Sequence, residues 1–428
     1  MRLALWFLGL FGAAVAIALF AGNNQGTITL FWPPYRVDFS LNFAILLTAL
    51  VFLILHVALR ALAALFAMPA LARRWRIQHQ ERAITLSLLD AISHLIAGRF
   101  VRARKAAELV LAKDGVMTGS GEQLAYSTRL RALSHLLAAE SAQVLQDRAA
   151  RESHYRDAMA QTRKRDSHEM RDGMKLRAAR WALEDRDASG ALTLLDDLSQ
   201  GAARRTIALR LRLKATRLGQ QPRAALETAR LLAKHRAFSD VAALGLLRGL
   251  ALELLATARD SDQQVAVWLQ LEESERRMPE VALEACRRML QLGGDVDTAM
   301  GWLLPIWERM AGAPNGLSED QRVKLVLVLE QGFGLASGAP QSLWLTRIEQ
   351  AQMSNPGDPV LQYLAGITCL RLQLWGKAQQ LLRQSLPRLR HAELERSAWA
   401  ALARLDEQRG DVVSAAQSWQ NAAQKRTL

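Results

Sequence analysis

Residues 3–35 read LALWFLGLFGAAVAIALFAGNNQGTITLFWPPY, and residues 39–59 read FSLNFAILLTALVFLILHVAL. Neither stretch holds a charged side chain; Arg36 and Asp38 stand between them. A helix needs roughly 20 apolar residues to cross a bilayer, and Leu3–Ala21 and Phe39–Leu59 each have that length. Only a helix satisfies its own backbone in hydrocarbon, so the pattern predicts a two-span hairpin over residues 1–68. The first run has the ends of a secretory signal but is long for a signal core. Gly9, Gly12, Ala13 and Ala16 give it a small-residue face on which another helix can pack closely.

Between the spans, residues 22–40 form a short connection. Thr27–Leu30 and Arg36–Phe39 alternate in polarity around Pro33-Pro34, which predicts a small β-hairpin or extended loop. Trp32 and Tyr35 suit the headgroup layer. Arg2 precedes the first span and Arg73, Arg74 and Arg76 follow the second, whereas the loop holds only Arg36. By the positive-inside rule both ends face the cytoplasm, as does everything C-terminal to the spans. Arg73, Arg74, Trp75 and Arg76 are the expected membrane-surface anchor; each arginine near anionic lipid adds about 1 kcal/mol. His56, near the end of the second span, reads as interfacial.

The chain has 428 residues, with 55 Lys+Arg against 41 Asp+Glu, a net charge of +14. Such a charge suits anionic lipid or an acidic partner. Basic residues are spread without an aromatic-interleaved patch, which argues against nucleic acid. Two cysteines, Cys286 and Cys369, make neither a disulfide framework nor a paired metal motif.

From Ile77 onward apolar residues recur at three and four, and the segment predicts helix after helix. Leu88, Ile92, Leu95 and Ile96 share a face, Gly98-Arg99-Phe100 breaks it, and Ala103, Ala107 and Val110 resume. The clearest unit is C-terminal. Trp399, Leu402 and Ala403 lie on one helix, Gly410-Asp411 turns, and Ala415, Trp419 and Ala422 lie on the next. Before it come Gly366, a turn at Trp375-Gly376, then Ala378 and Leu382. Arg186-Asp187 precedes Ala191, Leu218-Gly219 precedes Ala224, and Leu283, Leu290, Gly294, Ala299 and Leu303 fit again. These intervals lie near the tetratricopeptide period of about 34. Residues 69–115 are read as juxtamembrane helices, 116–313 as degenerate repeats and 314–428 as a region ending in the best repeats (359–428). Loops are expected at Arg259–Gln263, Ala311–Ser318 and Gly334–Ser342. The fold class is therefore all-α: two transmembrane helices followed by a tetratricopeptide-like solenoid.

In such an array the first helix of each pair is expected to line a groove. Over Pro359–Leu372 and Glu395–Gln408 that places Leu364, Gly366, Trp399, Leu402 and Ala403 in the stack. Tyr363, Ile367, Arg371, Ala400, Arg404 and Gln408 are left for a partner. Two guanidinium groups there suit an acidic or carboxylate-bearing segment. Tyr363 and Ile367 equally fit a role in finishing the core.

Enzyme motifs are missing from the sequence. Gly332-Phe333-Gly334 lacks the preceding strand and the spacing of a dinucleotide loop. Adjacent pairs such as Asp196-Asp197 and Glu272-Glu273 point apart on a helix and do not form an acid/base pair. Arg163-Lys164-Arg165 and Arg204-Arg205 read as solvated. The eight histidines show no two at ligand spacing on one helix face. Axial ligation by His94, His135, His154 or His235 leaves non-covalent haem or porphyrin open, with no other cofactor indicated.

The order of features, from the apolar first span through Gly26-Thr-Ile-Thr-Leu-Phe-Trp-Pro-Pro-Tyr-Arg-Val-Asp-Phe-Ser40, the second span with its arginine-rich exit, the Gly98-Arg-Phe turn and the helical repeats, resembles the HemY family of proteobacterial inner-membrane proteins. The resemblance spans the whole chain, and its amino-terminal part is the specific one. It implies a place at the inner membrane and association with a late step of protohaem synthesis. The expectation is a non-enzymatic scaffold for membrane-proximal haem-synthesis enzymes. A membrane-anchored adaptor for envelope assembly, or a haem- or porphyrin-binding carrier or enzyme, are the alternatives.

Overall fold

The computed structural model describes residues 2–22, 25–122, 124–162, 168–313, 316–335 and 339–424. They fall into two compact units, Met1–Lys164 and Arg165–Leu428. The first holds α1 (Arg2–Gly22), β1 (Thr27–Trp32), β2 (Tyr35–Ser40), α2 (Leu41–Ile96), α3 (Phe100–Gly119), α4 (Ser127–Val144) and α5 (Arg148–Gln161).

Strands β1 and β2 form the expected hairpin, antiparallel in register from Thr27 opposite Ser40 to Trp32 opposite Tyr35. Thr29 Oγ1 donates to Asp38 Oδ1 across the pair at 2.5 Å. Ser40 then caps α2, its hydroxyl accepting from the Phe43 amide. Leu41–Phe66 is long and apolar enough to cross a membrane, with mean hydropathy 2.4 and none of its most apolar window buried in the fold. The described apolar stretch of α1, Trp6–Leu19, is shorter, so one of the two expected spans meets the length criterion. Leaving such surface in water forgoes about 1.5–3 kcal/mol per large side chain, which makes a lipid or protein cover necessary.

The boundary expected at residue 68 falls inside α2, which continues through Pro69 to Ile96. Proline removes one backbone hydrogen bond, but Ala- and Leu-rich flanks sustain the helix on either side. Past Ile77 the same helix turns amphipathic: Ile84 and Ala91 are buried against α3 and α4. Ala91, Ala107 and Ala138 meet with no exposed area, so these three helices cross closely.

The second unit runs through α6 (His168–Glu184), α7 (Ala188–Asp196), α8 (Gln200–Ala203), α9 (Thr206–Leu218), α10 (Pro222–Lys234), α11 (Asp240–Leu255), α12 (Ser261–Gln270), α13 (Glu273–Arg276) and α14 (Pro279–Gln291). It continues with α15 (Val296–Trp302), α16 (Leu304–Gly312), α17 (Glu319–Leu335), α18 (Ala339–Ser354), α19 (Pro359–Arg371), α20 (Trp375–Ser385), α21 (Ala392–Gln408) and α22 (Val412–Gln424). Neighbours in sequence are neighbours in space, and one apolar core runs from Leu209 to Leu405. Helices α11, α14, α17, α19 and α21 touch in succession and form a row. Residues 163–167, 336–338 and 425–428, which hold the Arg163-Lys164-Arg165 cluster and part of the last expected loop, lie outside the described residues.

One local device closes most hairpins. Gly98, Gln146, Arg186, Gln220, Gln373 and Gly410 all have positive φ, between 51° and 80°. After each, the next amide bonds back to the carbonyl five residues earlier, as in Asp187 N to Ala182 O and Leu374 N to Cys369 O. This is the Schellman ending of a helix. Gly121, Arg236 and Gly293 make the same turn, and over all nine the fifth residue after the turn is a buried alanine in five: Ala103, Ala191, Ala225, Ala378 and Ala415. An alanine there lets the returning helix lie close on the first. The turn therefore sits at Gln220, not at the expected Gly219, whose φ is −80°. Likewise Gln373 turns the chain before Trp375, which is already helical. The buried small residue of the α9–α10 pair is Ala225, fully buried, while Ala224 is half-buried.

Five of these turns hold a non-glycine residue in a conformation that costs an L-residue about 1–2 kcal/mol, against roughly 0.5–1 kcal/mol of extra chain entropy for glycine. Arg186→Gly and Gln220→Gly should each raise stability by about 0.5–1 kcal/mol, measured by chemical denaturation of the detergent-solubilised chain.

Candidate functional site

Helices α17, α19 and α21 put Glu330, Ile367, Arg371, Ala400, Arg404 and Gln408 around one groove of about 330 Å³. Five of the six residues expected from the repeat pattern thus meet. Tyr363, the sixth, does not line it: the ring is buried, with its hydroxyl donating to Glu330 Oε2 at 2.6 Å. Ile367 lines the groove yet is only 4% exposed, so it serves mainly as core. Both follow from residues 361–369 being buried all round, since α19 packs against α17, α18, α20 and α21.

The other stack positions are where the periodicity puts them. Leu364, Leu402 and Ala403 are buried. Gly366 is required: a Cβ there would come within 2.8–2.9 Å of Leu382 side-chain carbons. Trp399 is half-buried on the core's edge and not enclosed.

Arg371 and Arg404 are exposed, and neither makes an ion pair or hydrogen bond among the described residues. Glu330 lies beneath them, half-buried. Burial raises its pKa above the ordinary carboxylate value; the Tyr363 hydroxyl and the charges of Arg371 and Arg404 oppose that rise. Burial, together with Glu330 beside it, pushes the Tyr363 phenol upward, so it remains a donor. The floor is polar, and the rim is cationic. Sequence reasoning missed Glu330, although it precedes Tyr363 by 33 residues, one repeat interval. Reading each groove position back by one interval would have found it. A second, larger groove of about 670 Å³ lies along the same row, between α11, α14 and α17.

The other sequence candidates separate. Gly332-Phe333-Gly334 lies in the last turns of α17, which rules out a dinucleotide loop at this place. Burial keeps Cys286 protonated, its pKa raised to about 12. At the membrane-proximal end of α2, Arg73 Nε donates to Glu122 Oε1 at 2.7 Å, and Trp75 stacks on His79. Arg74 and Arg76 are exposed. His94 and His235 stand apart, whereas His135 and His154 meet across the α4–α5 hairpin, 3.1 Å between Nδ1 atoms.

These features define an all-α protein of consecutive helical hairpins carrying an exposed apolar helix. Residues 26–146, from the β-hairpin to the α4–α5 turn, match the family model of the HemY protein N-terminus. No curated protein matches the chain. Among solved structures it is similar to the Cut9–Hcn1 hetero-tetramer of the APC/C (14% identity, 80% of this chain and 66% of that one, TM-score 0.27). Others are the TPR domain of P58(IPK) (12%, 76% and 99%, TM-score 0.21) and Naa15/Naa10 bound to HypK-THB (12%, 79% and 60%, TM-score 0.23). At such scores these likenesses carry no argument about arrangement or partners.

Glu330 holds its proton to higher pH folded than unfolded. Between the ordinary glutamate value of 4.5 and the raised one, the folded state binds more protons, so stability falls as pH rises through that window. Glu330→Gln keeps an acceptor for Tyr363 and removes the titration. Its stability, followed by denaturant melts from pH 4 to 8, should lose that decline and equal or exceed wild type at neutral pH.

Proposed function

We propose that this chain is a non-enzymatic scaffold that holds partner proteins at a membrane through its row of first helices. The observation that carries the reading is the groove of α17, α19 and α21. Two exposed guanidinium groups, Arg371 and Arg404, stand at its rim, above apolar and polar walls. Arginine pairs bind carboxylates in forked, charge-assisted hydrogen bonds, so the partner segment is acidic or ends in a carboxylate. The apolar helix Leu41–Phe66 supports attachment to a membrane. A second span at α1, with both termini cytoplasmic, rests on the charge distribution of the sequence.

The HemY match supports partners among enzymes of protohaem synthesis, by family name. In this reading the scaffold itself needs no cofactor, and Arg74, Trp75 and Arg76 meet lipid headgroups beside the exit of α2.

Arg371→Ala combined with Arg404→Ala tests the groove. Two lost charge-assisted hydrogen bonds should weaken partner capture in membrane pull-downs at least about tenfold. Because both side chains are exposed and make no ion pair or hydrogen bond among the described residues, the melting temperature should change little. Undiminished capture by a folded double variant would remove the groove from the function.

A further inference from the structure

The first unit holds a cluster that the scaffold reading does not use. His135 on α4 and His154 on α5 face each other with 3.1 Å between Nδ1 atoms, and Asp157 stands one turn beyond His154 on the same helix face. One ligand atom from each lies within 4.8 Å of the other two. Both imidazoles are half-buried, and Asp157 is exposed. We propose that His135, His154 and Asp157 bind a divalent late first-row metal ion, Zn2+ in the first place, clamping the α4–α5 hairpin.

Distances decide in favour of this reading. Ligand atoms about 2.0–2.1 Å from a tetrahedral zinc are ~3.3 Å apart, close to the observed 3.1 Å between the two Nδ1 atoms. The Asp157 carboxylate, already within 4.8 Å, is exposed and closes on the ion by side-chain rotation. The fourth position opens to water, giving an N2O set of the kind that suits zinc.

Surrounding groups fit the same chemistry. Glu108 Oε1 on α3 lies 3.8 Å from Nε2 of His154, on the ring edge away from Nδ1. Drawn in to hydrogen-bond distance, this carboxylate would keep the proton on Nε2 and leave the Nδ1 lone pair for the ion, the arrangement common behind zinc-bound histidines. Arg131 is engaged by Asp114 and Thr118. Arg104 is held by Asp147 and by Glu108. The positive charges near the site are therefore partnered. Without a metal, the two Nδ1 atoms can share only one proton in a single hydrogen bond.

A sequence scan confined to one helix face cannot find this site. The histidines are 19 residues apart and lie on either side of the turn at Gln146.

The test uses the detergent-solubilised full chain, stripped with chelator and titrated with Co2+, whose visible d–d absorption reports low coordination number with nitrogen ligands. Zn2+ competition follows. One Co2+ per chain should bind, Zn2+ should displace it, and added Zn2+ should raise the wild-type melting temperature. His135→Ala and His154→Ala should each abolish the absorption, while Glu108→Gln should weaken binding about tenfold by freeing the ring. Absent d–d bands in the wild-type chain overturn the proposal outright. So do bands that persist in both histidine variants. Circular dichroism of each metal-free variant separates lost ligation from lost folding.

Discussion

The structure depends on how one helix turns back on the last. A residue in the left-handed region ends a helix, the following amide closes a Schellman bond, and at five of the nine turns an alanine five residues on lets the next helix settle against it. The α14–α15 connection varies the theme. Gly293 has the positive φ, Gly294 lengthens the turn by one, and buried Ala299 takes the alanine's place. Each hairpin alone leaves an apolar face uncovered, so stability comes from stacking on neighbours. Charged pairs reinforce particular junctions. Arg230 grips Glu275 with two bonds, and Glu275 is fully buried while also serving the capping box of α13. Asp114, equally buried, accepts from Ser127 and Arg131. Removing one partner of such a pair costs about 3–5 kcal/mol.

Function follows from what stacking leaves over. First helices in the row spend one face on the core and present the remainder to a groove. On α19 the core takes nearly everything, and only Arg371 at the helix end stays free. On α21 Ala400, Arg404 and Gln408 form a strip one turn apart. The groove's charge is thus set by a few residues that the core does not need. Such positions can be altered without unfolding the array, which is what a scaffold requires to acquire partners.

Legibility tracked the strength of local signals. The apolar run, the β-hairpin around Pro33-Pro34 and the amphipathic helices are dictated by side-chain periodicity, and they stand where periodicity places them. Glycine turns at Gly98 and Gly410 were readable, and Arg186-Asp187 was placed by its spacing to Ala191; the equivalent turns at Gln146, Gln220 and Gln373 were not, because tertiary packing imposes a conformation that these residues do not prefer. Tyr363 was misplaced because one helical face cannot be told from another once a helix is buried all round. Glu330 and the His135–His154 pair belong to contacts between helices, and such contacts leave no trace in the periodicity of either helix.

The most direct measurement of the account is hydrogen exchange, read by mass spectrometry, on the full chain with Ala225→Leu. Leucine at this crossing overfills a site with no exposed area, at a cost of about 1–3 kcal/mol. If the alanine crossing holds each hairpin and stability passes only between neighbours, α9 and α10 should lose protection, α7 and α11 should lose some, and α19 to α22 should keep theirs. Unchanged protection in α9 and α10, or equal loss along the whole second unit, would contradict it.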